Sequence, residues 1–177
     1  NEDEIKAAQR LRYTVFYEEY KAKPSDDMAR ERRDMDDFDS ISDHLIVIDK
    51  SISDPHEQIV GTYRLLNNKA IGENGSFYTS SEFDISSLLE SKEPLLELGR
   101  SCVLADYRTR PVLQLLWQGL VDYMIEQNIG ILFGCASMHG TDINALSEQL
   151  AYMHHYHMAD ESIRPRALDH HYVDIDM

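Results

Sequence analysis

The chain has 177 residues and a formal net charge of −15. Its length suits one domain around a single core, and we expect residues 1–177 to form that domain. Hydrophobic residues make up 42% of the chain and charged residues 28%, which is typical of a globular protein and argues against disorder. The negative charge argues against nucleic acid as a partner, because phosphate binding depends on lysine and arginine. It suits a cationic substrate.

Two further exclusions concern location and redox state. No apolar run approaches the roughly 20 residues of a membrane-spanning helix, and no secretory signal precedes the first helical pattern, so we expect a cytoplasmic protein. Cys102 and Cys135 lie inside apolar runs. We therefore expect two core thiols rather than a disulfide.

The first half of the chain predicts a helix, a polar loop and a hairpin. Apolar residues recur at three- and four-residue steps from about residue 5 to 20 and indicate an amphipathic helix. Residues 21–43 are crowded with Asp, Arg and Lys and are typical of a solvated loop. Two aliphatic runs, 45–49 and 58–66, are separated by Ser, Asp and Pro and indicate an antiparallel hairpin.

The second half predicts alternating strands and helices. Residues 67–81 read as a loop and 85–89 as a short helix, followed by a buried strand over 95–104. Thr109 and Pro111 begin a helix that ends near Gly130, and 131–136 is a short central strand. A last helix, capped by Thr141 or Asp142, precedes the start of another strand at 173–177. This order predicts an α/β fold with a mixed sheet and helices on both faces.

One candidate site lies in the strand at 95–104. Glu97 and Arg100 are three residues apart, so strand alternation places them on opposite faces unless a bulge intervenes. A carboxylate shielded from water holds a proton more readily, which suits a general base. An internal salt bridge explains the pattern equally well.

A second candidate is the acidic loop. Asp34, Asp36, Asp37, Asp39 and Asp43 lie within ten residues, next to three arginines. Such a run is usually a solvated loop, but it is also compatible with a loop that recognises a cation.

A third candidate precedes the helix at 110. Arg108 and Arg110 lie where free N–H groups and the helix dipole favour an anion, although the Gly-rich loop of nucleotide-binding sites is missing from the sequence.

The histidines at 154, 155 and 157 point to different faces of a helix. We therefore predict no metal site.

Six segments, taken in order, resemble the ornithine-lipid N-acyltransferases, often labelled hemolysin-like proteins, of the GNAT-like acyltransferase superfamily. The autoinducer (acyl-homoserine lactone) synthases are more distantly similar through an acidic-aromatic-acidic loop, an Arg-Leu strand and a Glu-x-x-Arg strand. The fold implied is a GNAT-like mixed sheet flanked by helices on both faces. The segments are RYTVF (12–16), RDMDDFD (33–39) with DHL (43–45), GTYRLL (61–66), ELGRSCV (97–103), FGCAS (133–137) and YMHH (152–155).

The resemblance implies an enzyme that moves a (3-hydroxy)acyl group from acyl carrier protein to the α-amino group of ornithine, with no bound cofactor. The donor would be the carrier's 4'-phosphopantetheine thioester. Asp36 and Asp39 would hold the ammonium groups of ornithine, and Arg64 or Arg100 would pair with its carboxylate. Glu97 would be the catalytic base, with Arg100 beside it.

The resemblance also implies where the donor binds. The pantetheine arm would enter where the strands at 100–104 and 131–136 part, and a backbone N–H near Cys102, Val103 or Leu104 would stabilise the oxyanion. Arg108 and Arg110 would meet the phosphate and supply a basic patch for the acidic carrier. The lipid product implies a protein that works at the periphery of a membrane.

Two departures and two alternatives accompany this hypothesis. Arg110-Pro111 stands where the family tends to have a small residue, so we expect a differently shaped phosphate loop. Family members continue beyond residue 177, so we expect their C-terminal part to be absent. An autoinducer-type synthase that uses S-adenosylmethionine stays open, as does a non-catalytic hemolysin-like or carrier-binding protein. Against the hemolysin-like reading, the helix at 112–127 has no Lys or Arg to attract anionic lipid.

Overall fold

The structure is a computed structural model that describes residues 1–72, 75–108, 110–138 and 140–175, except for the side chain of residue 110. Its α-helices are α1 Glu2–Tyr13, α2 Asp26–Glu31, α3 Asn68–Ile71, α4 Ser86–Glu90, α5 Arg110–Gln127 and α6 Ile143–His157. Its strands are β1 Asp43–Ile48, β2 Ile59–Asn67, β3 Phe83–Asp84, β4 Leu95–Val103, β5 Ile131–Phe133 and β6 Arg166–Ala167. A π-helix, Thr14–Glu19, continues α1, and 3₁₀ helices cover Asp37–Ser40, Tyr78–Ser81 and Ala105–Tyr107.

Four strands form one mixed sheet in the order β1-β2-β4-β5. The first three are antiparallel neighbours, whereas β4 and β5 run parallel. Apolar side chains of α1 pack with Ile59 and Cys102 on one face, and Leu120 of α5 packs with Leu65 and Leu96 on the other. The predicted mixed sheet with helices on both faces is confirmed.

Most predicted elements are present with small shifts, and three predictions are wrong in part. The segment 21–43 is not only a solvated loop, because it contains α2 and a 3₁₀ helix and buries Asp34 and Asp39. The segment 67–81 likewise contains α3 and a 3₁₀ helix. Residues 173–175 are not in a strand, and residues 176 and 177 lie outside the described residues.

The small sheet of β3 and β6 has no counterpart in the sequence-based prediction. Its two strands pair over two residues each, Phe83 with Ala167 and Asp84 with Arg166. Two-residue strands are too short for hydrophobic periodicity to reveal.

A β-bulge in β4 decides which side chains share a face. Thr62 of β2 pairs with Cys102 of β4, and Arg64 pairs with Gly99. Two steps along β2 therefore match three steps along β4. Arg100 takes a positive φ of 51° inside this bulge. The extra residue resets the alternation, so Glu97 and Arg100 lie on the same face of the sheet rather than on opposite faces.

The parallel strands β4 and β5 pair only at their beginnings, and the last paired residues are Glu97 and Phe133. The next residue, Gly134, still touches the neighbouring backbone. A Cβ atom at this position would lie 2.2 Å from the carbonyl oxygen of Leu98. Glycine therefore permits the close approach after which the two strands part.

Two helices expose apolar surface. The outer side of α5 exposes Leu113, Trp117, Val121 and Ile125, and α6 contributes no buried residue among those described. Within the described ranges, none of the helices combines the length and apolar character needed to cross a lipid bilayer.

Replacing Gly134 should test the contact between the strands. We expect Gly134→Ala to lower the free energy of unfolding by roughly 1–3 kcal/mol, because a methyl group must push against backbone atoms. Urea titration monitored by circular dichroism measures the loss. Gly61→Ala is the matched control, since its Cβ would meet only side chains at 3.3 to 3.6 Å. Equal losses for the two variants would contradict this account of Gly134.

Candidate active site

Six charged side chains form a closed ring on the α1 face of the sheet. Each arginine pairs with two aspartates and each aspartate with two arginines, so the ring has no net charge. We call this set the charge ring. Its members, in order around the ring, are Arg12 of α1, Asp34, Arg100 of β4, Asp36, Arg64 of β2 and Asp39.

The inner half of the ring is closed to solvent. Arg12 and Asp34 are 1% and 0% exposed, and Arg12 Nε lies 2.8 Å from Asp34 Oδ2. Arg12 also donates to both oxygens of Asp39, at 2.9 and 2.7 Å. Tyr17 donates its hydroxyl to Asp34 at 2.8 Å. A buried ion needs such partners to offset the loss of hydration.

The outer half of the ring keeps some exposure. Arg64 Nη1 lies 2.5 Å from Asp36 Oδ1 and 3.2 Å from Asp39 Oδ1. Arg100 Nη2 lies 3.1 Å from Asp36 Oδ2. The side chains of Asp36 and Arg100 are 23% and 27% exposed, against 4% for Arg64. Asp36 and Arg100 are therefore the ring members that a small molecule can reach.

Asp39 is held as an anion at the centre of these contacts. Burial alone would raise its pKa, but the hydrogen bond and charge of Arg12, together with Gln9 and Arg64, outweigh burial and lower the pKa from 3.8 to about 2. Its two oxygens accept from the three side chains named. The predicted role of Asp39 in holding an ammonium group remains a prediction, and its lone pairs are directed at protein donors.

Glu97 is 4% exposed and lies where β4 and β5 stop pairing, on the sheet face that carries the charge ring. Its Oε1 accepts from the Thr79 N–H at 2.6 Å and from the Thr79 hydroxyl at 2.5 Å. Its Oε2 accepts from the Tyr78 N–H at 3.0 Å. Among the described residues, Glu97 does not form the internal salt bridge that was the alternative to a catalytic role. The 3₁₀ helix Tyr78–Ser81 holds its carboxylate, and Arg100 pairs with aspartates instead.

The backbone near Cys102, Val103 and Leu104 has one N–H that points away from β2. The Leu104 N–H donates to Val60 O at 2.9 Å within the sheet. Amides of adjacent residues in an antiparallel strand point to opposite sides, so the Val103 N–H points toward the side on which β5 lies.

Burial raises the pKa of the Cys102 thiol to about 12, so this thiol stays protonated near neutral pH.

The predicted phosphate-binding arginines are only partly described. Arg108 forms two hydrogen bonds with the Glu19 carboxylate, both of 2.6 Å, and its guanidinium lies over the Tyr20 ring. The side chain of Arg110 lies outside the described residues, and so does Thr109.

Cys135 is partly buried and Cys102 buried, and both are free thiols. Among the described residues, no three His, Cys, Asp or Glu side chains converge as metal ligands do.

Arg12, Tyr78 and Thr79 were missed as site residues, and Asp34 was named only as one member of the acidic loop. The signal for Arg12 was present: it shares the apolar side of the first helix with Ala8 and Leu11, and a charge there needs a buried partner. The others have no such signal, because their roles arise from loops that fold over the sheet.

The fold and site agree with a known family. The sequence model of the acetyltransferase (GNAT) domain matches residues 11–118, more than half of the chain. The chain belongs to the GNAT family. Its relatives include proteins named L-ornithine N(alpha)-acyltransferase, so the predicted relationship to the ornithine N-acyltransferases is confirmed.

Three of these relatives show the extent of the match. The protein of Rhodobacter capsulatus is 45% identical over 174 residues, covering 97% of this chain and 67% of the relative. Those of Agrobacterium fabrum and Brucella abortus are each 44% identical, covering 100% and 98% of this chain but 61% and 63% of the relatives. The chain thus spans about two thirds or less of the length of these relatives.

Solved structures share the fold at low identity. A CoA-dependent acyl-homoserine lactone synthase, BjaI, is similar with a TM-score of 0.56 and 16% identity, over 94% of this chain and 75% of that one. The acyl-homoserine lactone synthase LasI has a TM-score of 0.54 and 15% identity, over 94% and 82%. These acyl-homoserine lactone synthases therefore share the fold of this chain.

The lowered pKa of Asp39 predicts a pH dependence of stability. In the unfolded chain this carboxyl protonates near pH 4, and in the folded protein at about pH 2. Its contribution is therefore complete above about pH 4 and is lost as the pH falls to about 2, and it amounts to about 2 kcal/mol. Urea unfolding of the parent and of Asp39→Asn between pH 2 and 7 should show a difference that shrinks below pH 4. Asp37→Asn, an exposed neighbour, should show no such trend. A difference between parent and Asp39→Asn that is constant with pH would contradict the assignment.

Proposed function

We propose that this chain is the catalytic domain of an N-acyltransferase that moves a (3-hydroxy)acyl group from acyl carrier protein to the α-amino group of ornithine. This would be the first step of ornithine-lipid synthesis. The name shared by the relatives supports the acceptor. The observation that carries the proposal is the position of Glu97, a buried carboxylate at the last pair of two parting strands and on the sheet face that carries the charge ring.

The exposed part of the ring suits a diamino acid. Ornithine carries two ammonium groups and one carboxylate, so its recognition needs both signs of charge. Asp36 and Arg100 are adjacent, opposite in charge and partly exposed. Asp36 accepts from the ammonium groups, and Arg100 pairs with the carboxylate. Asp39 and Arg64 act from behind by fixing the position of Asp36.

Glu97 takes the proton that the amine must lose. The α-ammonium gives up one proton to become a nucleophile, and its nitrogen attacks the thioester carbonyl carbon. The tetrahedral intermediate collapses with cleavage of the carbon–sulfur bond, and the second nitrogen proton passes to the departing thiolate, which leaves as the free thiol. Because Glu97 is buried, the proton reaches it through an intervening water molecule.

The donor arm occupies the gap between β4 and β5. The Val103 N–H points toward this side and donates to the oxyanion, which is the group that gains charge in the transition state. Of the predicted positions 102–104, Val103 is the one favoured by the strand geometry. The reaction needs no bound cofactor, since the carrier's 4'-phosphopantetheine brings the thioester.

Arg108 and Arg110 meet the phosphate of the donor and contact the carrier. Arg108 is paired with Glu19, so a phosphate must replace that carboxylate as its partner. An acidic carrier also faces a chain of net charge −15, and a local basic group is required for it to bind. Because the donor is a cytoplasmic carrier and the product is a lipid, the enzyme works in the cytoplasm at the periphery of the membrane.

Thiol release from a 3-hydroxyacyl carrier protein tests the reaction. We expect release to require ornithine, with lysine, glutamine and S-adenosylmethionine giving little. Glu97→Gln should lower kcat by about 100-fold, because general-base catalysis contributes on that order. Glu93→Gln, an exposed carboxylate two residues before β4, is the matched control.

The other results have distinct meanings. Release with S-adenosylmethionine and formation of a lactone would favour an autoinducer-type synthase. Equal turnover by the parent and Glu97→Gln would remove Glu97 from the mechanism and keep the reaction. A lack of release with every acceptor would leave a binding role.

A second variant tests acceptor recognition. We expect Asp36→Asn to raise the KM for ornithine by roughly 10-fold to 100-fold, because a hydrogen bond to a charged group contributes about 1.5–3 kcal/mol. The KM for the acyl carrier should change little. Asp37→Asn removes an adjacent, exposed carboxylate and should leave both constants unchanged. An unchanged KM for ornithine in Asp36→Asn would sink this assignment.

A further inference from the structure

Thr79 makes two hydrogen bonds to one oxygen of Glu97. This residue lies in the 3₁₀ helix Tyr78–Ser81 and is 4% exposed. Its N–H and its hydroxyl both donate to Glu97 Oε1, at 2.6 and 2.5 Å. The Cys135 thiol lies 3.7 Å from the Thr79 hydroxyl oxygen and donates to it. A hydroxyl has one proton, so accepting from the thiol leaves that proton for Glu97.

The two oxygens of Glu97 are therefore unequal. Each carboxylate oxygen can accept about two hydrogen bonds. Oε1 has two donors, both from Thr79, and is saturated. Oε2 accepts from the Tyr78 N–H at 3.0 Å, and among the described residues it has no second donor. One acceptor position of the carboxylate stays available, and it belongs to Oε2.

We propose that Thr79 is a positioning residue that saturates Oε1 of Glu97 and so makes Oε2 the oxygen that accepts the proton of the acceptor amine. The inference rests on the proposed function of Glu97 as the general base. Thr79 does not contact the reacting atoms. Its hydroxyl selects one oxygen of the base and holds the carboxylate in one rotamer.

Other charged groups surround this pair and must be considered in any pH experiment. Glu82, from the turn after the 3₁₀ helix, interacts with Tyr78 and with Cys135. Arg100 of β4 lies over the Tyr78 ring at 5.8 Å. Removing the Thr79 hydroxyl leaves the contacts of Glu82 and Arg100 in place, but it takes from the Cys135 thiol the oxygen to which that thiol donates.

The test compares Thr79→Val and Thr79→Ser with the parent. Valine keeps the volume and the N–H but removes one of two donors to Oε1. The ionised base then gains a proton more easily, so the acidic limb of the kcat/KM profile should move up by about one pH unit, with kcat about 10-fold lower. The KM for ornithine should stay within a factor of about two. Serine restores the hydroxyl and should restore the profile.

Thr62→Val is the matched control for loss of a buried hydroxyl. Thr62 is equally buried, and its hydroxyl donates to Leu45 O at 2.9 Å, away from Glu97. We expect a similar loss of stability on urea unfolding and an acidic limb that does not move. A shift of the limb in Thr62→Val as large as in Thr79→Val would overturn the proposal, because stability alone would then explain it.

A second readout needs no turnover. The protein is labelled with ¹³C at the glutamate side-chain carboxyl, and the Glu97 signal, assigned by its loss in Glu97→Gln, is followed through a pH titration. We expect its midpoint to rise by about one pH unit in Thr79→Val and to return in Thr79→Ser. An unmoved midpoint overturns the proposal even if the parent shows no acyl transfer. An active parent with an active Glu97→Gln refutes the proposed base instead, whatever the titration shows.

Discussion

The alternating ion pairs of the charge ring are the interaction on which the rest of the site depends. They connect one helix, one long loop and two strands that are far apart in sequence, since Arg12, Asp36 and Arg100 come from three different parts of the chain. A buried charge is costly unless its partner and hydrogen bonds are in place. The loop at 34–39 therefore has one low-energy position over the sheet. That position leaves Asp36 and Arg100 partly exposed, while Arg12 and Asp34 behind them are closed to solvent.

The bulge in β4 places Arg100 of the charge ring on the same face of the sheet as Glu97. Without an extra residue in β4, the strand alternation would send Arg100 to the α5 face, among apolar side chains. With it, Arg100 joins two aspartates on the same face as Glu97. Glu97 and Arg100 thus share one side of a single strand. The parting of β4 and β5 adds a backbone N–H on the adjacent edge.

The sequence was sufficient to predict the mixed α/β architecture and the segments that contribute to the candidate site. Hydrophobic periodicity identified α1, α5, the hairpin and the strand at 95–104, because each buries a regular set of apolar residues. The position of Glu97 within a strand was also clear. The burial of Asp34 could not be predicted, because the sequence pattern of an aspartate among arginines is the same whether its partners are protein groups or water. Thr79 was invisible for a related reason: its role is a hydrogen bond between a loop and a strand 18 residues later, and no local pattern encodes such a contact.

A closed ring of three positive and three negative groups has an evolutionary consequence. Exchanging any one member for a neutral or opposite residue leaves two neighbours with one partner each instead of two, and it leaves an unbalanced charge inside the protein. An intermediate with a single change is therefore less fit than either end state, and divergence has to proceed by paired or compensated exchanges. Across distant descendants of such a fold, these six positions should behave as one inherited character, present together or replaced together, while the helices around them vary freely.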